Sequence, residues 1–169
     1  MGLFDFWLGT DVSVDWVAEP DLPICFNFDD LMLNGVGLGE SLDGLSGLGP
    51  ADDRRAARRG ILRYYALGLQ VEAGGDLVRS LELIWSWPNE PGIVFDSFAG
   101  DCVHEGMPWM LHRETNCMDI VTRLGKPDDE GRDELGLSYA YHREPALLRV
   151  EFDELDLLVS VAVYHGRVG

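Results

Sequence analysis

Two runs near the end of the chain decide the fold: Leu147-Leu148-Arg149-Val150-Glu151-Phe152 and Leu157-Leu158-Val159-Ser160-Val161-Ala162-Val163-Tyr164, joined through Asp153-Glu154. In the second run Leu157, Val159, Val161 and Val163 alternate with Leu158, Ser160, Ala162 and Tyr164. A period of two with one wholly apolar face and one mixed face describes a strand covered well on one side only. The acidic pair between the runs reads as a hairpin turn.

Working outward, the same pattern occurs earlier. Leu69-Gln-Val-Glu-Ala73 matches Leu148-Arg-Val-Glu-Phe152, and Asp76–Ile84 matches Asp156–Tyr164. Upstream, Leu48-Gly49-Pro50-Ala-Asp-Asp53 matches Leu124-Gly125-Lys-Pro127-Asp-Asp129, and Asp30–Val36 matches Asp101–Met107. Four short blocks in one order indicate an internal repeat. Each copy reads as an extended run (Ile24 to Phe28, Ile93 to Phe98), a tight turn (Asn34-Gly35, Glu105-Gly106), a helix and a set of strands. Asn-Gly favours a type I′ turn because both residues accept positive φ.

The second helix is expected over about Asn116 to Leu124, with Thr115 or Asn116 as N-cap and Gly125 as a left-handed stop. Met118, Val121 and Leu124 would form its apolar face, with Ile120 beside it. The first helix, Glu40 to about Leu48, is weakened by Gly44 and Gly47. Each glycine costs about 1 kcal/mol against alanine. Expected strands are Ile61 to Ala66, Leu69 to Glu72, Leu77 to Trp87, Leu137 to Tyr141, Leu147 to Phe152 and Leu157 to Tyr164. The expected class is α+β: two tandem β-rich repeats, each with one helix and antiparallel strands, related by an approximate twofold. The expected bounds are an extension over 1–23, repeats over 24–88 and 93–169, and a linker over 89–92, all within one compact domain.

The pattern of strand, Asn-Gly turn, helix, Leu-Gly-x-Pro and strand hairpin resembles a group of bacterial proteins of unknown function. Some of that group are suspected immunity proteins, encoded beside polymorphic or type VI secreted toxins. The Phe95-x-x-Phe98-x-Gly100 and Gly106 region looks like the middle of such proteins. The resemblance spans roughly residues 24 to 164 and rests on turn and packing motifs. It implies a toxin-binding role and supplies no catalytic residues.

The 169 residues carry 13 Lys+Arg against 30 Asp+Glu, a net charge of −17, with 46% hydrophobic residues. That content builds a core and argues against a disordered acidic chain. The charge repels nucleic acid and anionic headgroups, so no direct nucleic-acid or membrane partner is expected. Cys25, Cys102 and Cys117 read as reduced thiols of a cytoplasmic protein. The start, Met1-Gly-Leu-Phe-Asp-Phe-Trp-Leu-Gly, lacks a basic region and reads as no secretory signal. Phe6 stands where a myristoylation motif wants Ser or Thr.

Cys102, His104, His112 and Cys117 have zinc-ligand chemistry, but C-x-H-x7-H-x4-C is not a familiar spacing, so no metal and no cofactor is expected. Asp29-Asp30, Asp52-Asp53, Asp128-Asp129-Glu130 and Asp153-Glu154 read mainly as solvated turn residues. Arg54-Arg55-Ala-Ala-Arg58-Arg59 reads as a solvated loop or helical turn paired with Asp52 and Asp53, or as a phosphate contact. The nucleophile and phosphate-loop motifs are missing from the sequence.

These features favour a non-catalytic acidic binding protein, an immunity protein occluding the active site of a cognate toxin in the cytoplasm. The toxin would have a basic cleft or one that takes an anionic substrate. The expected contacts are Asp128, Asp129, Glu130, Asp52 and Asp53, with Trp85, Trp87 or Trp109 as anchor. The protein itself is expected as a monomer or homodimer. The alternatives are an enzyme, a small-ligand or metal-binding protein with an unfamiliar site, and thirdly a DNA-mimic inhibitor.

Overall fold

A computed structural model describes residues 9–86 and 92–165. Trp87 and the linker residues 89–91 lie outside the described residues, as does the chain start through residue 8. The class is α+β, with short helical segments and many antiparallel strands in two sheets. The strands are β1 (Cys25–Asn27), β2 (Met32–Leu33), β3 (Ile61–Tyr64), β4 (Leu69–Gly74), β5 (Leu77–Ile84), β6 (Asp101–His104), β7 (Met107–Pro108), β8 (Asp129–Asp133), β9 (Gly136–Arg143), β10 (Ala146–Phe152) and β11 (Leu158–His165). The helices are α1 (Arg54–Ala57) and α2 (Cys117–Leu124), with 3₁₀ segments at Leu42–Leu48 and Tyr65–Leu67.

The long sheet runs β3-β4-β5-β11-β10-β9-β8 and the short one β2-β1-β6-β7. The two decisive runs do pair, Val150 opposite Val161 and Leu148 opposite Val163. β11 then pairs with β5, Val161 opposite Leu83 and Val163 opposite Leu81. The inward side chains of this sheet meet Phe26 and Leu33 from the short sheet, Leu45 from the 3₁₀ segment and Ile120 from α2 in one core. A bulge between Glu151 and Phe152 shifts the register, so Phe152 faces Leu158. Leu158 therefore enters the core in place of the expected Leu157.

Helix α2 forms where the sequence placed it. Asn116 is the N-cap, its side chain accepting from Met118 and Asp119 N–H, while the Asp119 carboxylate accepts from Asn116 N–H. This reciprocal box satisfies donors that a helix start leaves orphaned. Val121 and Leu124 pack on the core as expected, with Ile120 buried beside them, but Cys117 completes the face in place of Met118, which is 64% exposed. Gly125 has the positive φ expected of a stop but an extended ψ of −174°, so it is not left-handed helical. The first helix is a 3₁₀ segment. A Cβ on Gly44 would lie 2.5 Å from Val36 Cγ2, so the glycine admits a close approach there.

Four further expectations are corrected. Ile93 to Phe98 is not a strand: Asp96 N–H donates to Tyr65 O and Phe98 N–H to Ile84 O, seating the run across the end of β5. Asp129-Glu130 is not a turn but the start of edge strand β8, Asp129 opposite Ala140 and Glu130 opposite Tyr139. Strand β3 ends at Tyr64, and Leu77–Ile84 stops short of Trp87. One pairing had no counterpart in the sequence reading: β1 and β6 run parallel, with Phe26 opposite Cys102.

The α2 face is tested by two substitutions. Ile120→Ala should cost about 2–5 kcal/mol of unfolding free energy, because Ile120 is fully buried. Met118→Ala should stay within about 0.5 kcal/mol. Denaturant melts giving equal losses would contradict this packing.

Candidate functional site

The residues proposed from sequence separate into structural and free groups. Asp53 caps α1, its carboxylate accepting from Arg55 and Ala56 N–H at 3.0 Å. These bonds and Arg63, 3.5 Å away, hold its carboxyl below the usual carboxylate range against burial. Arg54-Arg55-Ala56-Ala57 is thus the expected helical turn, but Asp53 meets Arg63 rather than its neighbouring arginines. Asp52 accepts from Tyr65 N–H at 2.7 Å. Asp128 accepts from His142 N–H at 2.7 Å, and Asp129 lies 2.8 Å from His142 Nε2. Glu130 is exposed on β8. The aspartates proposed as solvated turn residues are therefore partly fastened to backbone.

Among the tryptophans, Trp85 is 3% exposed, its Nε1–H donating to Leu111 O, so it is core and not an anchor. Trp87 lies outside the described residues. Trp109 is half-buried, 4.7 Å from the Phe28 ring and 5.7 Å from His104.

The zinc-type residues are not brought together. Cys102 is buried and its thiol is pushed up to about 12 by burial. His104 is engaged by Asp29 Oδ1 at 2.7 Å and by Arg123 O at 3.2 Å. His112 is exposed beside Glu114. No group of three His, Cys, Asp or Glu able to hold a metal occurs among the described residues. Asp29 also accepts from Glu105 and Gly106 N–H, so it ties the β1–β2 loop to the β6–β7 turn. Those bonds and His104 hold its carboxyl below the usual range. Asp29 and His104 stand 75 positions apart, and no sequence signal joins them.

Sequence reasoning missed the outer face of the long sheet. One row of side chains crosses all seven strands: Arg63, Gln70, Glu82, Ala162, Arg149, Ala140 and Asp129. Arg63 Nε–H donates to Gln70, which donates to Glu82. On the next row Ser160 lies beside Glu151, and Glu151 pairs with Arg149 at 3.1 Å. Small residues make the floor and charged ones the walls. The signal was available in the polar positions that alternate with the apolar ones. Glu82 is the group most altered by this setting. Burial, then the charge of Glu151, pushes its carboxyl from 4.5 up to about 6, while Ser160 and Arg63 oppose the rise.

Part of the exposed acid gathers at one corner, while more is spread over other loops, as at Asp15, Asp76 and Glu144. Glu130, Asp133, Glu134 and Glu154 are exposed on β8 and on the two turns beside its end, and Arg132 there is held by Asp156 at 2.7 Å. A separate groove of about 410 Å³ lies between Asp29, Asp30, Glu40 and the β9–β10 turn at Arg143 and Glu144. The corner can attract a cationic surface, and the sheet behind it holds the carboxylates in place.

Comparison of the chain with protein families, with curated proteins and with solved structures finds no match.

Two titrations follow. A carboxyl raised in the folded state binds its proton more tightly there, so stability falls as pH climbs from 4.5 to about 6. That rise corresponds to ~2 kcal/mol at full effect. Glu82→Gln should flatten this slope and be more stable than the parent at neutral pH, as read by melts across the range. His142, raised above 6.5 first by its bond to Asp129, favours folding at acid pH and loses that contribution as pH rises through its raised value. In ring-proton titrations by NMR, Asp129→Asn should lower the His142 midpoint; an unmoved midpoint would dismiss the contact.

Proposed function

We propose that the protein is a non-catalytic acidic binding protein, an immunity protein that occludes the active site of a cognate bacterial toxin in the cytoplasm. The observation that carries this reading is the acidic corner, where Asp128, Asp129, Glu130, Asp133, Glu134 and Glu154 stand on an edge strand and its adjoining turns. A net charge of −17 extends the same field over the molecule. A partner with a basic cleft, shaped for nucleic acid or another anionic substrate, would be steered toward it. Among the described residues no helix is long and apolar enough to cross a membrane.

We also propose that residues 24–88 and 93–169 are tandem copies related by an approximate twofold. Matched hydrogen bonds support this. Tyr64 Oη–H donates to Gly49 O and Tyr141 Oη–H to Gly125 O, both at 3.2 Å. Asp52 N–H donates to Arg63 O and Asp128 N–H to Ala140 O, both at 2.9 Å. Asp52 accepts from Tyr65 N–H as Asp128 does from His142 N–H. Asn27 opposite Met32 and Val103 opposite Pro108 span equal loops, so the first block aligns Asp29 with Glu105 rather than Asp30 with Asp101. On this alignment the corner at Asp128 repeats the corner at Asp52. The first corner carries the Arg54 to Arg59 cluster and the second carries free acid.

Replacing Asp128 or Asp129 would disturb His142, so the interface is tested with glutamates that hold no side-chain hydrogen bond in the described fold. Glu130→Gln with Glu134→Gln and Glu154→Gln should weaken protection when the chain is co-expressed with the neighbouring gene's product, while the melting temperature stays within a few degrees. Association of the parent should slow with added salt more than dissociation quickens. A neighbouring product that is harmless alone, or a triple variant that protects fully, would overturn the proposal.

A further inference from the structure

The chain contains the same tripeptide twice at one end of the long sheet. Asp133-Glu134-Leu135 forms the β8–β9 turn, and Asp153-Glu154-Leu155 begins the β10–β11 turn. In each, the aspartate Oδ1 accepts the N–H of the leucine two residues on, at 2.8 Å and 2.9 Å. Each leaves its leucine in water, Leu135 74% and Leu155 77% exposed. The turns lie side by side. Arg132 reaches Asp156, and a Cβ on Gly136 would fall 1.9 Å from Phe152 O. A groove of about 170 Å³ opens between them, with Asp133, Leu135, Glu151, Asp153 and Val159 on its walls.

A hairpin in this sheet needs no leucine at its tip. The β4–β5 turn is made with Gly75-Asp76 and presents only an aspartate side chain there. Two large apolar side chains at neighbouring tips, beside an apolar-floored groove, are surface that a partner can cover.

We propose that these twin turns dock a lysine- or arginine-rich amphipathic segment of a partner protein, with Leu135 and Leu155 as apolar anchors and the surrounding carboxylates as the rim. Charge complementarity selects this occupant. Asp133, Glu134, Asp153 and Glu154 frame the leucines, and two nearby cations are occupied, Arg132 by Asp156 and Arg149, on the groove wall, by Glu151. A second copy of the chain would bring the same negative rim, and an anionic membrane would be repelled. A segment alternating cations with apolar groups matches both features. The fixed turns also reduce what must be ordered on binding. The inference rests on the reading of the chain as an acidic binding protein, and not on the partner being a toxin.

The test uses the full chain and a defined probe: a synthetic peptide of leucine and lysine, about 14 residues or four helical turns long. Its control has serine at every leucine position. Amide shifts in ¹⁵N spectra should map the leucine peptide to 133–136 and 153–157. Leu135→Ser with Leu155→Ser should weaken that peptide about tenfold while leaving the weak serine control unchanged. Shifts centred elsewhere, or an unchanged affinity in the double variant, would overturn the docking site. So would sedimentation of the free protein as a dimer that the double variant dissociates, since a second copy would then be the occupant. Loss of toxin protection in co-expression is a separate readout. A mapped peptide with no protected toxin sinks the immunity reading alone, and a protected toxin with no mapped peptide sinks this docking site alone.

Discussion

The pairing of β5 with β11 is the constraint on which the rest of the structure depends. It sets Leu81 against Val163 and Leu83 against Val161, joining three strands from the first half to four from the second. Only then is the inner face of the sheet broad enough for the short sheet, the 3₁₀ segment and α2 to pack on it. Full burial of one such side chain contributes about 1.5–3 kcal/mol. An exposed ion pair such as Arg149 with Glu151 contributes about 0–1 kcal/mol. The apolar face therefore sets the architecture, and the charges adapt to it.

That ranking explains what could be read in advance. The β10–β11 hairpin, the Asn34-Gly35 turn and α2 were legible because each is written within a few residues. Asn34 and Gly35 have positive φ, and Asn116 with Asp119 makes a local box. Strand β8 was not legible: Asp-Glu-Gly-Arg-Asp has no strand propensity and is extended only because it completes the ladder on β9. The β1–β6 pairing joins residues 76 apart, and the Phe95 and Phe98 contacts depend on where β5 ends. No periodicity reports such distant agreements. The apolar face of α2 was misjudged by one position because spacing alone cannot say which side of a short helix meets the sheet.

The acidic residues sort largely by side-chain length, although Glu40 accepts from Gly37 N–H. Asp29, Asp52, Asp53, Asp128, Asp133 and Asp153 each accept a backbone N–H in a turn, cap or loop. A short carboxylate reaches the nearby backbone, whereas a longer one stands clear of it. Glu130, Glu134 and Glu154 are the ones left facing water at the acidic corner. Counting acids in the sequence treats both kinds alike. The structure separates carboxylates that shape the loops from those whose charge can be exchanged without disturbing them.

The two corners that follow Gly49 and Gly125 show how one local frame can take different roles. At both, a buried tyrosine hydroxyl holds the glycine carbonyl and an aspartate closes on the strand that follows. After the first corner the chain turns into α1, in and just after which four arginines stand, while the acid pairs with Arg63 on the next strand. After the second it extends as β8, an edge strand exposed at every residue. An open edge invites association with other strands, and charge along it discourages that pairing. The same charge that keeps β8 unpaired also makes it attractive to a cationic surface. Protection of the edge and the proposed recognition of a basic partner would thus draw on the same carboxylates, without a conflicting demand on the core.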